Sequence, residues 1–324
     1  TYLEITGNIQ MYSGNHLNPG CVTGDGTSGD GQDSPDVYVG GNATLIYDNP
    51  NGTTSPTIEG TYGCEMKGDV LLDIRSGRAS EICGTQEYVD KSIIRGNLHI
   101  IAGAEKYENT DHTLRLNYNW PIVGAGNRFA TEPGAVGNYE VDGNITIDTY
   151  ENVWGWDRGT DPTSYDVPEI YGAIRGNVGG SITINAHGSH VQNIFGASDS
   201  AIQGSVVINA NNVELKNSYY GTKYDEGYII GLWETGAAST AQGPVIINID
   251  GGDVGLVMNT DQDQAPTGSA INVTGNPKIR TGLRGTQGSS YSKEFPVANV
   301  YACEATIPFI KKMSEVKLTE RTNV

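Results

Sequence analysis

The side chains here that could do chemistry are carboxylates, aromatics, and a few histidines and arginines. Asp25, Asp30, Asp33 and Asp36 fall in one Gly- and Ser-rich stretch. Oxygen donors on a flexible loop suit Ca²⁺, so these four are the candidate metal ligands, although their order matches neither an EF-hand nor the nonapeptide calcium repeat. The plain alternative is a solvated acidic loop. Trp154, Trp156, Asp157 and Arg158 set aromatic faces beside hydrogen-bonding groups, as a sugar platform requires, and Trp233 with Tyr219, Tyr220, Tyr224 and Tyr228 offers a second such surface. Trp154 aligns with Tyr171 and Phe195 in the repeat described next, which makes it a packed structural aromatic. Trp156, Asp157, Tyr224 and Trp233 are then the candidate ligand contacts. His187 and His190, three apart in a turn-like segment, could bind metal but lack nearby carboxylates and read as solvated loop histidines. No residue is assigned a catalytic role.

These groups need elements to position them, and the elements are short strands. Gly180 is followed by Ile182 and Ile184, Gly204 by Val206 and Ile208, and Gly243 by Val245 and Ile247. Apolar residues two apart are the period of a strand with one buried face. Upstream the unit recurs behind Gly7, Gly41, Gly68, Gly96 and Gly143, and downstream, slipped by one residue, behind Gly268. A second unit, an apolar residue, a bulkier one and a glycine, closes several repeats, as at Ile82-Cys83-Gly84, Val153-Trp154-Gly155, Ile170-Tyr171-Gly172, Ile194-Phe195-Gly196 and Tyr219-Tyr220-Gly221. Ile94-Arg95-Gly96-Asn97-Leu98 is echoed by Ile174-Arg175-Gly176-Asn177-Val178.

The nine opening glycines stand 24 to 47 residues apart, so a minimal coil of about 24–28 residues carries variable insertions. Fixed strands with variable loops fit a stacked β-coil better than a propeller, because one coil cannot bury its own apolar face and needs neighbours. The glycines are expected to permit positive φ at the corners and to leave room for the next coil. Asn8, Asn42, Asn97, Asn144 and Asn177 beside them suit turns and can form ladders with their equivalents in the next coil. Asn42, Asn144 and Asn272 formally head glycosylation acceptors, which coincide with the repeat and are read as structural.

The expected fold is therefore all-β, a right-handed parallel β-helix of about nine irregular coils spanning residues 1–288, on the order of 45 Å long. The 12–39, 104–139 and 150–169 insertions are where function would be displayed. Beyond Gly288 no glycine remains, two of the four phenylalanines appear and Lys/Arg becomes frequent, so residues 289–324 read as a cap or the start of a following domain.

Bulk properties exclude several classes. With 20 basic against 38 acidic side chains the net charge is −18, which argues against nucleic acid and anionic membranes, and against polyanionic sugars unless a cation intervenes. The 44 glycines show no Gly-X-Y period, so collagen is excluded. No run of 18 apolar residues spans a membrane. The chain opens at Thr1 without a signal-like segment and reads as a processed form or a piece of a larger multidomain protein. Cys21, Cys64, Cys83 and Cys303 lack zinc-like spacing. They allow three disulfide connectivities, with Cys64–Cys83 the most local, or buried thiols.

The recurring glycine, Asn or Ser, then β-branched residue, closed by an aromatic-glycine pair, resembles the adhesin-like repeats of cell-surface proteins from gut-associated bacteria. Over roughly residues 5–285 it looks like the right-handed β-helix group that also holds pectin-degrading enzymes and phage tailspikes. That resemblance implies a secreted or surface-anchored protein whose partner is a glycan or a host-surface component, and it transfers no active residue. The polygalacturonate hydrolases of the group would require Asn-Thr-Asp, Asp-Asp, Gly-His-Gly and Arg-Ile-Lys in that order. Asn259-Thr260-Asp261 is present with Asp263 beside it. No Asp-Asp pair exists, however, His187-Gly188-Ser189-His190 lies upstream, and Arg280 is not followed by Ile-Lys. A lyase would set Ca²⁺ and an Arg such as Arg175, Arg280 or Arg284 against a uronate, and no spacing ties these together. Three readings stand in order: a non-catalytic display solenoid, a carbohydrate-active β-helix enzyme, and a purely structural stalk.

Overall fold

The computed structural model describes residues 3–13, 37–50, 56–61, 64–85, 92–104, 114–116, 122–126, 139–151, 153–155, 168–215, 227–236, 238–288, 294–301 and 305–318. Among these residues the chain is all-β, with no helix, and its strands form three sheets. The first runs from Leu3–Ile5 to Thr240–Ala241, the middle one carries Ile9–Ser13 through Glu315–Leu318, and the third runs from Thr57–Thr61 to Ile310–Lys311. All registered pairs are parallel, and the chain visits the sheets in turn, as in Tyr139–Val141, Ile145–Thr149 and Ile170–Ile174. This is the arrangement of a β-solenoid.

Alternation and register together build the core. Val70, Leu98, Ile145, Ile182, Val206 and Val245 stand in one row of the middle sheet, and Leu72, Ile100, Ile147, Ile184, Ile208 and Ile247 in the next inward row. All are buried. Each such side chain contributes about 1.5–3 kcal/mol on leaving water, and with rungs about 4.8 Å apart like stacks on like. The nine strands that follow the nine glycines are successive members of this sheet, and Val297–Val300 and Glu315–Leu318 extend it.

Sterics, not positive φ, explain most of the repeat glycines. Of the nine opening glycines only Gly268 lies in the left-handed region, at φ 81°. The others, apart from Gly7, need room: a Cβ at Gly68, Gly143 or Gly180 would lie 2.4–2.6 Å from the carbonyl oxygen of the glycine one coil earlier. A second column, Gly60, Gly84, Gly124, Gly172, Gly196 and Gly231, lies in the third sheet, where a Cβ would meet the next coil's carbonyl oxygen at 2.2–2.6 Å. Asn259 continues this column. Its side chain is buried and its Nδ2 donates to Val245 O at 2.8 Å.

Two side-chain ladders lock the coils. At the turn position the side-chain oxygen of Asn8, Asn42, Asp69, Asn97, Asn144 and Ser181 each accepts the backbone N–H of its equivalent one coil on, at 2.7–3.0 Å. On the outer face of the middle sheet Asn185, Asn209, Asn248, Asn272 and Asn299 form an amide ladder. Each Nδ2 donates to the Oδ1 one rung earlier at 2.7–2.8 Å. Asp148, which accepts without donating, ends it at one side and is held by His99 at 2.6 Å.

Two alignments differ from the sequence reading. Trp154 pairs with Arg115, away from the row holding Tyr171 and Phe195, because Val153–Gly155 joins Leu114–Leu116 instead of the third sheet. The Ile94 and Ile174 echo is coincidental, since Ile94 is stacked with Val141 and through it with Val178. Cys64 begins a strand of the first sheet and Cys83 lies buried in the third.

Gly196→Ala is expected to lose about 1–3 kcal/mol, because the new methyl would meet Val206 Cγ1 at 2.3 Å and Gly231 O at 2.4 Å. Gly236→Ala, with nothing within 4 Å, should change stability by less than about 0.5 kcal/mol. Denaturant midpoints of the two variants read the difference.

Candidate functional site

One row of outward side chains in the third sheet frames the candidate site. In register these are Glu59, Cys83, Val123, Tyr171, Phe195, Ile230, Met258, Arg284 and Lys311. Outward positions of a solenoid ordinarily face water, yet the row from Glu59 to Met258 is buried. The row becomes accessible only at Arg284 and Lys311.

Stacking at the coil spacing turns its centre into an aromatic column. The Tyr171 and Phe195 rings lie 4.7 Å apart and the Phe195 and Trp233 rings 4.4 Å apart, with interplanar angles of 22° and 14°. Trp233 is the register partner of Ser198, so its indole leans back along the strand to cover Phe195. It is half-buried, as is Tyr228, and both pack against this outer cluster. Of the predicted ligand contacts, Trp233 is thus placed on a stacked, partly accessible platform, while Trp156, Asp157 and Tyr224 lie outside the described residues. So do Asp25, Asp30, Asp33 and Asp36, and Tyr219, Tyr220 and Gly221. The next rung of the aromatic-glycine column is Ile229, Ile230 and Gly231.

Polar groups flank the column on both sides. Below it, Tyr171 Oη and Asn193 Nδ2 donate to Glu169 at 3.0 and 2.7 Å, and Asn193 Oδ1 accepts the Tyr228 N–H at 2.8 Å. Above it stand Asp199, Glu234 and Asp261. Asp199 is buried and accepts the N–H groups of Thr235 and Gly236 and the Thr235 hydroxyl, with Arg175 Nε 3.5 Å away. Arg175 and Asp199 both hold positive φ, at 55° and 48°, a strained geometry for non-glycine residues that the corner imposes. Asp261 Oδ2 accepts the Glu234 N–H at 2.7 Å, and its Oδ1 is buried with no partner among the described residues. Burial, followed by the charges of Glu234 and Asp199, pushes the Asp261 carboxyl up to about 6.

The tripeptide Asn259-Thr260-Asp261 therefore divides. Asn259 and Thr260 are fully buried, and only Asp261 reaches the surface. His187 stacks on Tyr150 at 5.3 Å, and His190 Nδ1 lies 3.4 Å from Glu214, a carboxylate distant in sequence. Arg280 is committed to Asp253 at 2.9 Å and Leu215 O at 2.6 Å. Among the described residues no three His, Cys, Asp or Glu side chains converge as metal ligands. Sequence reasoning missed the Asp199–Glu234–Asp261 grouping, because its members come from different coils and meet only through register.

The fold and site define an all-β protein of stacked parallel sheets with an aromatic and acidic outer corner. No family model, curated protein or solved structure matches the chain, so the adhesin-like resemblance rests on the repeat pattern alone.

A second buried carboxyl generates a pH prediction. Burial, with the nearby Glu81, raises Glu59 to about 8 from an ordinary 4.5. The folded chain then keeps a proton that the unfolded chain releases, so stability falls as pH rises from about 4.5 to about 8. Glu59→Gln removes that loss. The variant should exceed the parent by on the order of 2–3 kcal/mol at pH 7.5 and match it at pH 4, read as denaturant midpoints. Asp261→Asn should act the same way over about pH 4 to 6, with a smaller gain because that carboxyl is half-exposed.

Proposed function

We propose that this chain is a non-catalytic extracellular β-solenoid, adhesin-like in its repeats, that displays a glycan-binding corner. In this reading it is a right-handed parallel β-helix of about nine irregular coils, with residues 289–324 ending the stack or leading into a following domain. The observation that carries it is the three-ring column ending on half-buried Trp233, fixed from beneath at 4.4 Å. A rigid aromatic face beside amides, carboxylates and backbone N–H groups is what a sugar ring requires, since its C–H face stacks and its hydroxyls bond at the edge. The setting is a secreted or cell-surface protein, and Ca²⁺ enters as a variable because of the acidic loop around Asp25–Asp36.

The second reading, a carbohydrate-active enzyme, draws on Asp261. A carboxyl raised to about 6 beside two further carboxylates is a chemically suitable proton donor near neutral pH. The display reading is favoured by the aromatic platform, which needs no carboxyl chemistry; of the three carboxyls, buried Asp199 is occupied by two backbone N–H groups and a hydroxyl, which leaves Glu234 and Asp261.

A glycan-binding panel run with and without Ca²⁺, paired with an assay for newly formed reducing ends and unsaturated uronates, separates the two. Binding without turnover, weakened about tenfold or more in Trp233→Ala and largely restored in Trp233→Phe, is the expected result. Turnover abolished by Asp261→Asn would instead establish the enzyme, and silence in both assays would leave a stalk.

A further inference from the structure

We propose that Arg284, Lys311 and Lys312, the first and last of them tied together by Gln287, form an oxyanion site that takes a carboxylate or sulfate group of an acidic glycan. The identification of the carrier as a glycan rests on the reading above; the anion site itself does not.

Like charges on adjacent rungs repel, so a parallel sheet ordinarily alternates sign or supplies counter-charges. Elsewhere this chain does so. Arg95 lies within 3.1 Å of both Glu65 and Asp142, which sit on the rungs before and after it, and Lys278 and Arg280 share Asp253. Arg284 and Lys311 are direct register partners and Lys312 follows, yet among the described residues none of the three is within salt-bridge distance of a carboxylate. Of the carboxylates on neighbouring segments, Asp253 pairs with Lys278 and Arg280, Glu315 with Lys317, and Glu294 bonds Thr267, while Asp261, which accepts the Glu234 N–H, and Asp263, beside Gly288, flank the Gln287 turn without coming within salt-bridge distance of the three cations.

The three cations are also held in place. Arg284 Nη1 donates to Gln287 Oε1 at 3.2 Å, and Lys312 Nζ donates to the Gln287 carbonyl at 3.0 Å, so one residue anchors two of them. Lys312 keeps φ at 56°, a left-handed conformation that costs a lysine energy and fixes where its side chain emerges. Lys311 Nζ lies 4.5 Å over the Phe309 ring, which directs it without neutralising it. The Arg284 Nε–H is buried and meets no acceptor among the described residues. A buried guanidinium N–H without an acceptor is costly.

Position sets the ligand class. Arg284 follows Met258 in the row whose centre is the aromatic column, and Met258 separates it from Ile230. Two rungs, about 9–10 Å, part the Ile230 level from Arg284. That is the reach of an oligosaccharide with one ring near Trp233 and an acidic substituent on a neighbouring unit.

Thermal unfolding at constant ionic strength tests this, with inorganic sulfate and phosphate against chloride, followed by calorimetric titration with oligogalacturonide, a sulfated oligosaccharide and a neutral one. The parent chain should be stabilised by sulfate beyond chloride. Arg284→Gln and the Lys311→Gln/Lys312→Gln pair should each weaken oxyanion binding by about 10- to 100-fold. Lys67→Gln, a paired cation elsewhere, should not. Lys311 is exposed, so Lys311→Gln alone controls for misfolding. Oligogalacturonide binding that these variants weaken fixes the group as a carboxylate, and preference for the sulfated chain fixes it as a sulfate. Sulfate binding lost in the variants, with no acidic glycan bound, keeps the anion site and removes the glycan as its carrier. Equal stabilisation of parent and variants by sulfate and chloride overturns the proposal.

Discussion

Everything in this molecule depends on bringing backbones to within a strand spacing of one another, coil on coil, along its length. Parallel pairing at about 4.8 Å satisfies the main-chain donors and acceptors, but it brings each side chain against its equivalent one coil away. Residue choice at each position is then a question of what stacks on itself. Isoleucine and valine do, and they fill the interior rows. Asparagine does, because an amide both donates and accepts, and it builds the ladder from Asn185 to Asn299. Charges of one sign do not. Where carbonyls crowd, a side chain seldom fits, and glycine occupies both close-approach columns except where Asn259 continues the second.

That rule explains which parts of the fold were legible. Rows that stack like on like leave a periodic trace, so the glycine openings and the alternating Val and Ile correctly located the nine middle-sheet strands beginning with Ile9–Ser13 and ending with Ala270–Thr274. The turn ladder was partly readable: Asn8, Asn42, Asn97 and Asn144 do accept the next coil's N–H, whereas Asn177, expected with them, lies in a strand of the first sheet. What the pattern misassigned were glycines with more than one use. Gly155 and Gly96 share a local motif with glycines of other sheets, and only pairing register tells them apart, as Trp154 opposite Arg115 demonstrates. Of the two reasons expected for the opening glycines, room for the next coil holds for most and positive φ for Gly268 alone. Close approach leaves the same residue in the sequence as positive φ does, and only the geometry separates them.

The site was less legible because it is built across coils. Trp233 could be singled out as an aromatic near tyrosines, but its platform depends on Phe195 and Tyr171, from the two preceding rungs of its sheet. Asp199, Glu234 and Asp261 are separated by tens of residues and converge only because three rungs turn the same corner. The Asn259-Thr260-Asp261 tripeptide shows the opposite error. A short motif invites a single role, yet Asn259 substitutes for glycine in a core column while Asp261 faces solvent two residues later. The strand ends at Thr260, so the motif straddles a strand end and does not mark a contiguous site.

The bulk charge misleads in a related way. A net of −18 describes the chain as seen from many Debye lengths, whereas a ligand against the surface responds to charges within about 8–10 Å. In a solenoid that local field is set rung by rung, and it varies along the outer row of the third sheet. The row begins at a buried, proton-retaining Glu59, passes through an apolar and aromatic middle, and ends at Arg284 and Lys311. A polyanion repelled at long range can therefore be held at close range, provided that the cations are fixed and uncompensated. Fixing them is what the rest of the structure does, because the main-chain register that stacks isoleucine on isoleucine also sets Arg284 against Lys311.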